Sequence, residues 1–234
     1  MRSKPIQMTL KKAYLLVILV LLIDQISKIY IKTHFIYGEF GQVDVTNWFK
    51  ILLIENEGMA WGTEIPGTHG KLFLTLFRLI VVPGIAYWLW DAIKNKSSNF
   101  LIVAISLIFA GAVGNIIDSV FYGVIFNHSN GQVATLMSAE PYGHLLYGKV
   151  VDMLYFPIFE CQLPQWLPVW GGSTFRFFNA IFNVADFAIS TGIGILIVFN
   201  KKAFAKPNIT DIAENSNANF ATTETKEETA TKEL

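Results

Sequence analysis

Cysteine is almost absent: Cys161 stands alone in 234 residues. That excludes an internal disulfide and any multi-cysteine metal site. The four histidines, His34, His69, His128 and His144, are scattered and carry no HExxH-type spacing. No metal centre is predicted from them. There is no G-x-S-x-G for a serine nucleophile. There is no phosphate-cradling glycine loop either, and no cofactor is expected; "GAVGN" at 111–115 reads as helix packing. Charge is scarce as well. Asp, Glu, Lys and Arg make up 15% of the chain and cancel to a net charge of zero. A soluble domain carries roughly a quarter. The balance gives no global attraction to nucleic acid. With 53% hydrophobic residues, it points to an integral membrane protein.

Four stretches reach the ~20 residues needed to cross a ~30 Å hydrocarbon core: about 12–33, 72–92, 99–122 and 178–199. The first has a basic start and an apolar run, "KKAYLLVILVLLI", like a secretion signal. No small-x-small cleavage site follows, and the apolar pattern continues through "SKIYI", so it reads as a retained anchor. Arg2, Lys4, Lys11 and Lys12 precede the first span. Lys94 and Lys96 link the second to the third, and Lys201, Lys202 and Lys206 follow the fourth. Four spans put all of these on one side, so both termini are expected in the cytoplasm. The long connections, about 34–71 and 123–177, then face outward. "VDVTNWFKILLIENEGMAWG" in the first suggests a strand or two. In the second, Trp166 and Trp170 suit a membrane interface. The tail, 207–234, is polar and of low complexity, and is expected to be disordered.

Ionisable groups inside a span are costly and are candidates for function. Here they are Asp24, Lys28, Arg78, Asp118 and Asp186, joined by Asn115 and Asn183. With the expected topology all fall toward the outer half of the membrane. Asp186 lies about eight residues, or roughly 12 Å, inside the fourth span. Asn179, Asn183, Asp186 and Ser190 share one helical stripe, as do Gly111, Asn115 and Asp118. Asp24 and Lys28 are spaced to pair directly. Plainer readings stand beside these: snorkelling for Arg78 and Lys28, interhelical glue for the asparagines, structural hydrogen bonding for Asp118. Asp186 has no cation near it in sequence. A further acid, Asp152, lies in an apolar setting, "GKVVDMLYF". If Asp152 and Asp186 met, they would hold one proton between them. Such a pair suits peptide hydrolysis: one member activates water, the other hydrogen-bonds the scissile carbonyl.

The pieces "DQISK" (24–28), "ENEGMAWG" (55–62), "GAVGNIIDS" (111–119), "VVDM" (150–153) and "FNVADFAI" (182–189) carry a resemblance. In this order, over about 10–200, the chain resembles the lipoprotein signal peptidases, the signal peptidase II family of bacterial membrane proteases. The resemblance implies a mainly α, integral membrane fold: four transmembrane helices, a small periplasmic β-cradle and a periplasmic helix or loop. It implies an aspartic endopeptidase of the bacterial inner membrane, with its site toward the periplasm. Its partners would be membrane lipid and diacylglyceryl-modified prolipoproteins, cut just before the lipidated cysteine. A monomer is expected. The catalytic acids carry over onto Asp152 and Asp186. Supporting positions carry over onto Asp24, Lys28, Asn56, Gly58, Ala60, Trp61, Asn115, Asp118, Asn183 and Ala185.

Two departures accompany the resemblance. The family pattern continues "GNxxDR", whereas Ser119 follows Asp118 here. The role of the missing cation is expected to be lost or supplied from elsewhere, with Lys149 and Arg176 as candidates. Residues 126–149 look like an insertion, readable as decoration of the outer face or as a lid. Two other classes compete: a proton-coupled transporter with Asp24, Asp118 and Asp186 as relay, and a membrane scaffold using its polar groups only as glue.

Overall fold

The computed structural model describes residues 8–57 and 69–205. The expected tail and the loop positions Gly58, Ala60 and Trp61 lie outside the described residues. Among the described residues, three helices are long and apolar enough to cross a membrane. The first, α1 (Leu10–His34), starts at Thr9, whose side chain accepts from the Lys12 N–H. The second is α2 (Gly70–Lys94). The third, α3 (Asn99–Ile117), is capped by Ser98, whose Oγ accepts from Leu101 N at 3.2 Å. It runs on through a π-helical turn (Asp118–Tyr122) into a last short piece, α4 (Gly123–Ile125). Such caps satisfy N–H groups that the helix itself cannot.

The α3–α4 span is the axis of the bundle. Of its most apolar stretch 56% is buried inside the molecule, against 22% for α1 and 11% for α2. Its small residues permit this closeness. A Cβ on Gly114 would lie 2.7 Å from Asp24 Oδ2 and 3.3 Å from the Ala185 Cβ. Side chains larger than hydrogen there would force α1 and the fourth helix away.

The fourth helix differs from its sequence expectation of 178–199. It is α5 (Val184–Val198), 15 residues long, followed by α6 (Asn200–Ala203). The residues ahead of it are extended: β6 (Ile181–Phe182) pairs with a strand, and Asn183 is the helix cap at φ −120°, ψ −179°. An asparagine side chain competes for the N–H groups of a first turn, and here it wins. Asp186 is therefore in the first turn of its helix, not eight residues deep. Asn179 leaves the expected stripe and accepts from the Tyr155 hydroxyl at 2.9 Å.

The polar ends of α1 and α3 and the start of α5 meet a four-stranded antiparallel sheet. Its order is β1 (Gly38–Thr46), β2 (Phe49–Asn56), β3 (Val150–Tyr155), β6. The β-structure expected from 43–56 is its β1–β2 hairpin. The second connection takes the loop-and-strand form, with no helix among residues 126–183. It contributes β3, β6 and a separate hairpin, β4 (Phe159–Gln162) with β5 (Thr174–Phe177). Apolar packing is split in two. Ala13, Leu89, Leu101, Ile102, Ile105 and Ala203 fill one end. Ile31, Leu53, Tyr122, Phe126, Val151 and Met153 form the other, beneath the sheet.

Candidate active site

Two elements far apart in sequence bring the candidate acids together. Asp152 is the third residue of β3, paired in register with Ile54 of β2. Asp186 stands in the first turn of α5. Asn183 Nδ2 donates to Asp152 Oδ1 at 2.7 Å and to the Val151 carbonyl at 3.2 Å. Its Oδ1 accepts from Asp186 N at 2.9 Å. Asn115 Nδ2 on α3 donates to Asp186 Oδ1 at 2.8 Å. Asn183 also reaches Asn115 Oδ1, at 3.3 Å. The acids are thus the two ends of one chain of amides. The remaining oxygen of Asp152, Oδ2, accepts from Asn56 Nδ2.

Beneath this layer lies a buried ionic one. Lys28 Nζ sits 2.9 Å from Asp24 Oδ2 and 2.8 Å from Asp118 Oδ2, and donates to Asn115 Oδ1 at 2.9 Å. All three charged side chains are shielded from solvent. A buried ammonium needs this saturation, since a lone charge in such surroundings is very costly. The two acids also accept from backbone. Asp118 Oδ2 accepts from Val151 N at 3.3 Å, and Asp24 Oδ1 from Ala185 N at 2.8 Å. Val151 and Ala185 immediately precede Asp152 and Asp186. One lysine therefore couples two acids, each of which holds the peptide next to one candidate catalytic carboxylate. Of the plainer readings, snorkelling is excluded for Lys28, while structural hydrogen bonding fits Asp118.

Asp152 is 3% exposed, and its carboxyl is pushed up to about 8. Burial is the larger cause and the charge of Asp186 the next. Asp186 itself is half-buried.

The cation expected near Ser119 comes from an unexpected helix. Lys71, at the start of α2, donates from Nζ to the Glu57 carbonyl at 2.8 Å and to Ser119 Oγ at 3.4 Å. Lys149 instead faces Glu57 Oε1 at 3.8 Å. Arg78, about two turns along α2 from Lys71, lies within electrostatic reach of Asp186, Asp118 and Asp152. Gln25 was also missed by the sequence reading. Its Nε2 donates to Asp24 Oδ2 at 3.0 Å and Asp118 Oδ1 at 3.0 Å, and its Oε1 accepts from the Tyr122 hydroxyl at 3.2 Å. Its place inside the apolar run of α1, next to Asp24, was the available signal. Among the described residues no group of His, Cys, Asp and Glu could hold a metal ion.

The chain is similar to proteins already known. The family model described as Signal peptidase (SPase) II matches residues 16–201. The lipoprotein signal peptidase of Porphyromonas gingivalis is 44% identical over 185 residues, covering 78% of this chain and 80% of that protein. That of Amoebophilus asiaticus is 34% identical over 201 residues, covering 84% and 80%. Two solved structures of bacterial membrane enzymes, obtained by the in meso method, share the fold. One superposes with a TM-score of 0.56 at 24% identity, covering 86% of this chain and 95% of that one. The other gives 0.54 at 26% identity, covering 84% and 96%. On the sequence match over most of its length, the chain belongs to the signal peptidase II family.

Proposed function

We propose that the polar end of the bundle is the active site of an aspartic endopeptidase. The enzyme removes the signal peptide from diacylglyceryl-modified prolipoproteins, just before the lipidated cysteine. One observation carries the aspartic assignment: Asp152 and Asp186 terminate a single hydrogen-bonded run through Asn183 and Asn115. With its carboxyl pushed up to about 8, Asp152 holds the shared proton at neutral pH. Asp186 then takes a proton from water. The hydroxide equivalent attacks the scissile carbonyl carbon while Asp152 hydrogen-bonds, then protonates, the carbonyl oxygen. Asp186 returns its proton to the departing amide nitrogen as the tetrahedral carbon collapses and Asp152 regains its own.

The surroundings support the orientation. Lys11, Lys12, Lys94, Lys96, Lys201 and Lys202 all lie at the end of the bundle away from the site. The positive-inside rule puts that end, with both termini, in the cytoplasm of the inner membrane. The site then faces the periplasmic side, where acyl chains of a lipidated substrate can stay in the bilayer. Exposed Trp166 and Trp170, in the loop of the β4–β5 hairpin, suit contact with membrane lipid. We take the enzyme to act as a monomer. Nothing favours the transporter alternative, because the buried ionic groups cluster at one end of the spans.

The test is processing of a lipid-modified precursor by Asp152→Asn and Asp186→Asn variants in membranes. Each is expected to lose at least about a thousandfold in rate, as when half of an acid–base pair is removed. Cleavage at the normal rate by both would end the assignment.

A further inference from the structure

A second buried ion pair lies beyond the site, and the machinery described so far does not use it. Lys32, one turn past Lys28 on α1, has a side chain only 1% exposed. Its Nζ pairs with Glu55 Oε1 on β2 and donates to Ser129 Oγ at 3.0 Å. Ser129 Oγ in turn donates to Glu55 Oε1 at 2.6 Å. The rings of Phe126 and Tyr142 flank the ammonium at 5.2 and 5.0 Å. Ser129, Tyr142 and most of this enclosure belong to the 126–149 insertion. Without it, Lys32 and Glu55 would be an ordinary wet pair of little consequence. With it, they are desolvated and geometrically fixed.

The insertion is itself held rigidly. Its backbone follows the end of the third span, donating to carbonyls that a terminating helix leaves unpaired. Ser138 N donates to Ile125 O at 3.2 Å, Tyr142 N to Phe126 O at 2.9 Å and Gly143 N to Gly123 O at 2.9 Å. Further along, Leu146 N reaches Val120 O at 3.0 Å and Gly148 N reaches Ser119 O at 2.9 Å, within the π-helical turn. A Cβ on Gly148 would run into the Asp118 carbonyl. A segment stitched to the span at four of these points is no lid.

What it secures is β2. Glu55 pairs with Val151 in register, and the next residue, Asn56, pairs with Val150 and donates its side chain to Asp152 Oδ2. We propose that the 126–149 insertion is a fixed clamp. Ser129, Glu55 and Lys32 are positioning residues that lock β2 so that the Asn56 amide meets Asp152. The proposal rests on Asp152 being catalytic.

The full-length enzyme, with a lipid-modified precursor in mixed micelles, provides the test. Glu55→Gln and Ser129→Ala are expected to lower kcat per folded molecule by about tenfold and about fivefold, with KM held within about twofold. In an Asn56→Ala background neither should lower kcat further, because the route through Asn56 is already cut. Ser129→Thr, which keeps the hydroxyl, should retain most of the rate. A rise in KM at constant kcat would mean that the insertion touches substrate, and would overturn the clamp. So would a fall in melting temperature with kcat unchanged, or effects that multiply in the Asn56→Ala background. If Glu55→Gln does not fold, Ser129→Ala decides alone. Asp152→Asn run alongside separates the two readings: an inactive Asp152→Asn with an unaffected Ser129→Ala sinks only the clamp.

Discussion

The two ends of the helical bundle are built on opposite principles. At the lysine-flanked end, Ala13, Leu89, Leu101, Ile102 and Ile105 meet in a purely apolar contact. Its buried hydroxyl, Ser106, is satisfied within its own helix by Ile102 O at 2.7 Å. Helix ends are tied there by single polar links, such as Ser98 Oγ to Ala203 O at 2.7 Å. At the other end Asp24, Lys28, Asp118, Asn115 and Asn183 are buried, and each is bonded to another element. Dispersion and burial tolerate small displacements; a saturated ionic network does not. The first end supplies stability, and the second uses it to hold costly groups in one arrangement.

This contrast can be broken from both sides. The largest effect is expected from Lys28→Met, which leaves Asp24 and Asp118 buried without their cation. Removing one partner of a buried pair costs about 3–5 kcal/mol, so little folded enzyme should remain in a detergent thermal-unfolding assay. At the apolar end, Ile105→Ala should cost about 2–4 kcal/mol in the same assay, yet leave kcat per folded molecule unchanged. A drop in that kcat would show that the two ends are not separable. The smallest effect is a pH dependence. The proposed mechanism needs Asp152 protonated, and that form is present below its raised pKa of about 8 and lost as pH rises through it. Single-turnover cleavage should fall about tenfold per pH unit above that point, and Ile105→Ala should follow the same curve.

The apolar end was the more legible in sequence. Three spans emerge from run length alone, within a few residues of the observed helices. The Asp24–Lys28 pair follows from i,i+4 spacing, and the meeting of Asn115 with Asp186 follows from two polar stripes on apolar helices. The fourth span was overextended because hydropathy does not register a cap: Phe177 to Phe182 are apolar but for Asn179, yet Asn183 begins the helix. Lys71 and Lys32 sit near span ends, where a lysine ordinarily snorkels, so no local pattern marks them as partners of Ser119 and Glu55. The position of Asp152 depends on strand pairing with Ile54 and on a side-chain bond from Asn56, 96 residues away in sequence. Long-range sheet register has no short-range signature.

The brevity of α5 fixes a depth. Lys201 follows Asp186 by fifteen residues, a rise of about 22 Å along a helix. The hydrocarbon layer is about 30 Å thick. With the lysine resting on one water line, the carboxylate hangs about 8 Å short of the other, or the bilayer puckers to reach it. Under the proposed mechanism, hydrolysis below the waterline means that each turnover must import its own water molecule, while the substrate need never lift its tails out of the oil.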